Sequence, residues 1–287
     1  MGTGIVSRLS SEGRLRRRRE EEEMFDFHMH SQVSADSKAR PEDMVAAAEA
    51  WGLREICFTD HLDCKVGRPE TNVFTQEAYE EAYRDLSSDK LRIRFGMEFG
   101  MQPDNRQRFL EETGKRKYDF IIGSVHTIEN KGVYREEYWR GKTRREAYTR
   151  YLEEILSCLE VHEDFHVLGH LTHPTKSPSN TGNVPYTLSE YGELTEEIFR
   201  RLIHKGIGLE VNTSGIRSSG QPLPPLEFVR QYVEMGGEII TVGSDAHKPA
   251  HVGNHIRETL KALGDLTPWI VVFEEGRPMY YKIDSLW

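Results

Sequence analysis

Cysteine is scarce in this chain. Three thiols, Cys57, Cys64 and Cys158, occur in 287 residues, an odd number with no CxxC spacing. Neither a disulfide framework nor a thiolate zinc site is indicated, and a reducing cytoplasm is the expected home. Long apolar runs are missing too: no stretch approaches the roughly 18–20 residues that a membrane-crossing helix needs. The basic stretch near the amino terminus is followed by acids and not by an apolar segment, so no secretory leader is expected. There is no excess of positive charge either. A formal net charge of -9 argues against a broad grip on a nucleic-acid backbone, which leaves a basic footprint. It leaves open a small anionic substrate held by local cations. No GxGxxG phosphate loop occurs.

What is present is a mixed, soluble-type composition, 37% hydrophobic and 30% charged. Residues 1–23 stand apart, since "RLRRRREEEE" sets opposite-charge blocks in series without an amphipathic period. They are expected to form a flexible extension, with one domain over 24–287. From Met24 onward the chain alternates. "FDFHMH", "EICFTDH", "IRFGMEFG", "FIIGSVHT", "HVLGHLTH", "IGLEVNT" and "IITVGSDAH" read as strands. Helical spacing fills the gaps, in "PEDMVAAAEAWG", "TQEAYEEAYRDL", "RREAYTRYLEEILSCLEVH", "TLSEYGELTEEIFRRLIHKG", "PLEFVRQYVEMGG" and "HIRETLKALG". Repeated strand–helix units with no internal linker predict an α/β fold with a parallel sheet, closed or nearly closed into a barrel; an open doubly wound sheet is the alternative.

The polar residues at the strand ends carry the chemistry. The first strand ends in His28 and His30, the second in Asp60 and His61, the third in Glu98 and the fourth in His126. The fifth ends in His170 and His173, the sixth in Glu210 and Asn212, the seventh in Asp245 and His247. Seven of the 12 histidines therefore lie at strand ends. In a β/α barrel those ends meet at one mouth, and imidazoles with carboxylates there form the donor set preferred by zinc, manganese or iron. Asp60, beside His61, is expected to orient that imidazole, and Asp26 to lie on the same side as His28 and His30. Glu210 and Asn212 read as polar support.

In this order "DFHMHS", "FTDH", "GMEFG", "GSVHT", "VLGH" and "GSDAH" resemble the metal motifs of the PHP (polymerase and histidinol phosphatase) superfamily. "YWRGKTRREAYTRYLEEILSCLE", "LEVNTSGIR" and "GGEIITVGSDAHKPAHVG" point to its histidinol-phosphate phosphatase branch. The resemblance runs from about Phe25 to about Tyr281 and implies a distorted seven-stranded (β/α)7 TIM-like barrel with two or three divalent metals. It implies one ion on His28, His30, Glu98 and Asp245. A second would share Glu98 with His126 and His170, and a third would take Asp36, His61 and His247. Glu98 and Asp245 thereby enter the catalytic set.

The resemblance departs from its pattern after the fifth strand. Relatives continue as something like "GHxDxxRRY", where this chain reads "GHLTHPTKS". Lys176 stands where an arginine contacts phosphate, a point charge in place of a bidentate fork. His173 is an additional imidazole, expected to bind phosphate, donate a proton or serve structurally, and Arg217 is expected to clamp phosphate. The implied reaction is metal-assisted hydrolysis of L-histidinol phosphate. Alternatives are another small phosphomonoester, a phosphodiester, or a metal-binding protein without turnover.

Overall fold

The computed structural model describes residues 24–64, 72–177 and 184–286; the charged leader expected over 1–23 lies outside them. The apolar runs form seven barrel strands: β1 (Met24–Met29), β2 (Leu53–Phe58), β3 (Arg92–Gly100), β4 (Phe120–Ser124), β5 (Val167–Leu168), β6 (Gly208–Asn212) and β7 (Ile240–Gly243). They neighbour one another in chain order and each adjacent pair is parallel. Such pairs need a crossover on the outside, and the helices supply it.

Helix boundaries follow local chemistry. Pro41 opens the helix Pro41–Trp51 and Gly52, at φ 71°, ends it in the left-handed region. Thr143 with Glu146 and Thr187 with Glu190 form capping boxes for Arg144–Val161 and Leu188–Lys205. The helix Arg106–Lys115 between β3 and β4 is an addition to the sequence reading. Its polar composition hid the narrow stripe that buries Phe109.

The ring closes between β1 and β7, which rules out the open-sheet alternative. Asp245 N–H donates to His28 O at 2.8 Å and His30 N–H to Ala246 O at 2.8 Å. Asp26 reinforces this seam by accepting from Ser244 N–H, Ser244 Oγ and Gly253 N–H. Gly243 allows the close approach, since a Cβ there would stand 2.2 Å from His28 Cβ.

The opposite mouth is plugged by an antiparallel hairpin, Trp269–Glu274 with Arg277–Lys282, which the strand–helix reading missed. Phe273 stacks on Phe120 and His166, and Glu275 and Gly276 donate their N–H groups to Asp119. These partners lie at the starts of β4 and β5, so the open mouth is the one at the strands' C-terminal ends.

His166 accepts from Ile121 N–H through Nδ1 at 2.8 Å, and burial pushes its pKa down to about 4. The folded protein holds this imidazole neutral, whereas the unfolded chain protonates it near pH ~6.5. The unfolded state therefore binds more protons as pH falls through the window from about 6.5 to about 4, and stability drops there. Urea midpoints at pH 7.5 and 4.5 should show wild type losing on the order of 1 kcal/mol per pH unit more than His166→Asn. Parallel loss in both proteins would show that this imidazole does not contribute.

Candidate functional site

Side chains from the ends of β1, β2, β4 and β5 surround Glu98 of β3, which is fully buried, and Glu210 of β6 and Asp245, just after β7, reach the imidazoles of β1 beside it. Its Oε1 lies 2.7 Å from His170 Nε2 and 3.1 Å from His126 Nε2. Its Oε2 lies 3.2 Å from His28 Nε2, 3.0 Å from His61 Nδ1 and 3.6 Å from His30 Nε2. Ser124 Oγ donates to Oε1 at 2.7 Å. Around this centre, Asp245 Oδ1 stands 3.3 Å from His30 Nε2 and 3.8 Å from His28 Nε2. Asp36 Oδ2 stands 3.5 Å from His61 Nε2 and 3.4 Å from His247 Nε2. Every metal-ligand candidate named from the sequence is thus brought to one rim.

Local backbone distortions make this possible. β2 stops at Phe58, and His61 belongs to a separate short strand, His61–Asp63, that pairs with β3 at Glu98. β5 is only Val167–Leu168, shorter than its apolar run suggested. His170 and Asp245 adopt φ of 22° and 52°. Such left-handed residues cost roughly 1–2 kcal/mol each. The His170 conformation is held by its N–H donating to Glu210 Oε2, and that of Asp245 by the seam.

The supporting carboxylates are partly different from those expected. Asp60 does not reach the His61 ring; it accepts from Ser31 N–H, Ser34 Oγ and Tyr83 OH. Ser34 Oγ in turn lies 3.3 Å from His30 Nδ1, so Asp60 acts on His30 through a serine. Asp26 likewise braces the seam and bonds neither imidazole of β1. Glu210 Oε1 lies 2.5 Å from His28 Nδ1, and Asn212 Nδ2 donates to Glu210. Asp63, which the sequence reading passed over, lies 2.8 Å from His126 Nδ1. An N–H donated from Nδ1 to each of these carboxylates leaves the Nε2 lone pairs of His28 and His126 facing Glu98.

Donor atoms crowd this rim without satisfying one another. His28 Nε2 and His30 Nε2 are 3.1 Å apart, and His126 Nε2 and His170 Nε2 are 3.3 Å apart. His170 Nδ1 is buried with no hydrogen-bond partner, and His61 Nδ1, although 3.0 Å from Glu98 Oε2, is not aligned to bond it. Three groups place one donor atom from each member within 4.8 Å of the others: His28, His30 and Glu98; His61, Glu98 and His126; His30, His61 and His247. Burial alone would lower the pKa of His28, His61 and His126, yet the surrounding carboxylates hold all three above the ordinary imidazole range, His126 at about 10. A field that favours protons on these rings favours divalent cations in their place. The nitrogen and carboxylate donor set fits such ions.

Above the rim lies a cleft of about 620 Å³. Lys176 reaches into it and donates to Asp245 Oδ2 at 2.6 Å. His173 also lines it, buried, with both ring nitrogens unpartnered. Burial and the neighbouring His170, Lys176 and His126 keep this imidazole neutral, so it can offer a hydrogen bond but is a poor proton source. Arg217 does not line the cleft: both guanidinium NH2 groups donate to Ser244 O at 3.3 Å. The outer wall carries Asn130, Tyr134, Arg135 and Glu137, none of them singled out from the sequence. They follow β4 in a segment without strand or helix periodicity, so no pattern marked them. Among the described residues no helix is long and apolar enough to cross a membrane.

Comparison with known proteins gives the chain's relatives. The PHP domain model matches residues 26–214. The histidinol-phosphatase of Lactococcus lactis is 30% identical over 227 residues, covering 78% of this chain and 84% of that protein. A Clostridium acetobutylicum protein named "Probable histidinol-phosphatase" is 27% identical over 261 residues, covering 90% of this chain and 99% of its own length. Among solved structures, the Lactococcus lactis histidinol phosphate phosphatase complexed with zinc, L-histidinol and phosphate superposes with a TM-score of 0.76. It is 26% identical and covers 90% of this chain and 99% of that one.

Proposed function

The chain belongs to the PHP domain family, on its histidinol-phosphatase branch, and from that premise we propose that it hydrolyses L-histidinol phosphate to L-histidinol and phosphate. The observation that carries this reading is the convergence of imidazoles and carboxylates on Glu98 with Lys176 beside them. His28, His30, Glu98 and Asp245 would hold one divalent ion, Glu98, His126 and His170 a second, and Asp36, His61 and His247 a third. Zinc, manganese and iron all suit these donors. When bound, such ions supply Lewis acidity toward a phosphoryl oxygen and acidify water at neutral pH.

The chain's own groups do the rest. The Lys176 ammonium neutralises charge on the phosphoryl oxygens, where the transition state spreads it. His173 donates one N–H hydrogen bond to the substrate from its dry position above His170. Glu210 and Asp63 fix the tautomers of His28 and His126. Arg217 steadies the loop of Asp245 through the Ser244 carbonyl.

Steady-state assays test the substrate. L-histidinol phosphate should exceed sugar phosphates, nucleotides and single-stranded DNA by at least ~100-fold in kcat/KM, roughly 3 kcal/mol of selectivity. Turnover no better than the panel average would remove the assignment while leaving a phosphoesterase. Bound metal without turnover of any phosphoester would leave only a metal-binding protein.

A further inference from the structure

The cleft offers far more room than a phosphoryl group fills, as pockets for whole small molecules do. The carboxylates that line it differ in their partners. On the floor, Asp36, Asp63, Glu98 and Asp245 are each engaged by an imidazole or by Lys176. Glu137, in the first turn of the short helix Glu136–Trp139, lines the same cleft and is exposed. Among the described residues no ion pair engages it. The neighbouring guanidinium of Arg135 lies 5.1 Å from the centroid of the Tyr134 ring, in cation–π range of that ring.

This asymmetry matters for a substrate that carries both a phosphate and an amine. The phosphate would be drawn to the floor, where Lys176 stands and the divalent ions proposed above would be held. An ammonium a few bonds away would be repelled by those ions and by Lys176, so it would need an anion that they do not already occupy. Glu137 is the lining carboxylate that meets that condition. Resting on the phosphatase reading above, we propose that Glu137 receives the ammonium group of the leaving alcohol and so selects phosphomonoesters bearing an amine. His173, buried with open nitrogens, lies between the rings of His126 on the rim and Tyr134 in the segment that carries Glu137.

The test compares kcat/KM for L-histidinol phosphate with that for the analogue carrying hydrogen in place of the amine, in metal-loaded full-length protein. Wild type should prefer the amine about tenfold, the size of one charge-assisted contact. Glu137→Gln should collapse that ratio, mainly through KM, and Glu137→Asp should keep part of it. An unchanged ratio in Glu137→Gln, or a wild type indifferent to the amine, overturns the proposal and leaves the phosphatase reading intact. Wild type that hydrolyses neither compound overturns both.

Discussion

Replacing Glu98 by glutamine is expected to strip two metal ions together and to lower kcat by on the order of 10³. Both carboxylate oxygens are used: Oε1 faces His170 and His126, and Oε2 faces His28 and His61. Glutamine keeps the shape but exchanges one oxygen for an NH2 group, which turns hydrogens and no lone pair toward an ion and removes the negative charge that would balance it. Elemental analysis of the purified variant should show the joint loss with the circular dichroism of the fold retained. His61→Ala should deplete the third ion alone. Equal depletion of all three ions by both substitutions would count against the proposed sharing.

The second large effect is expected at Lys176. Lys176→Met should reduce kcat/KM by roughly two orders of magnitude and weaken inhibition by inorganic phosphate to a comparable degree, since one ammonium serves substrate and product alike. Lys176→Arg should recover part of both. The ammonium sits 2.6 Å from Asp245 Oδ2, so metal content must be measured in parallel. A phosphate inhibition constant that does not move in Lys176→Met would place this residue away from the phosphoryl group.

The rim residues were legible because strand ends are where period-two apolar runs stop, and there imidazoles and acids recur. The closed ring was legible in outline from the strand–helix alternation. What escaped was set by distant contacts. Asp63 stands next to a pattern that already had its histidine, and its role appears only when His126 arrives from β4. Asp60 looked like the partner of the adjacent His61, but chain proximity says nothing about where a carboxylate turns, and Ser31, Ser34 and Tyr83 claimed it. Arg217 matched a phosphate-binding pattern, yet a guanidinium can satisfy itself on any nearby carbonyl and here takes that of Ser244. The hairpin over the far mouth followed no strand–helix rhythm and so went unseen.

The seam between the first and last barrel strands also dictates a timetable. Asp26 and Ser244 touch although 218 positions separate them in the chain, and His28 and Asp245 meet across the same join. During synthesis the early histidines emerge long before the aspartate that completes their cage, so a growing polypeptide cannot assemble the full cage until it has been made through Asp245. Interrupted products would therefore carry the histidines without the aspartate, and hydrolytic power would arrive only with the finished ring.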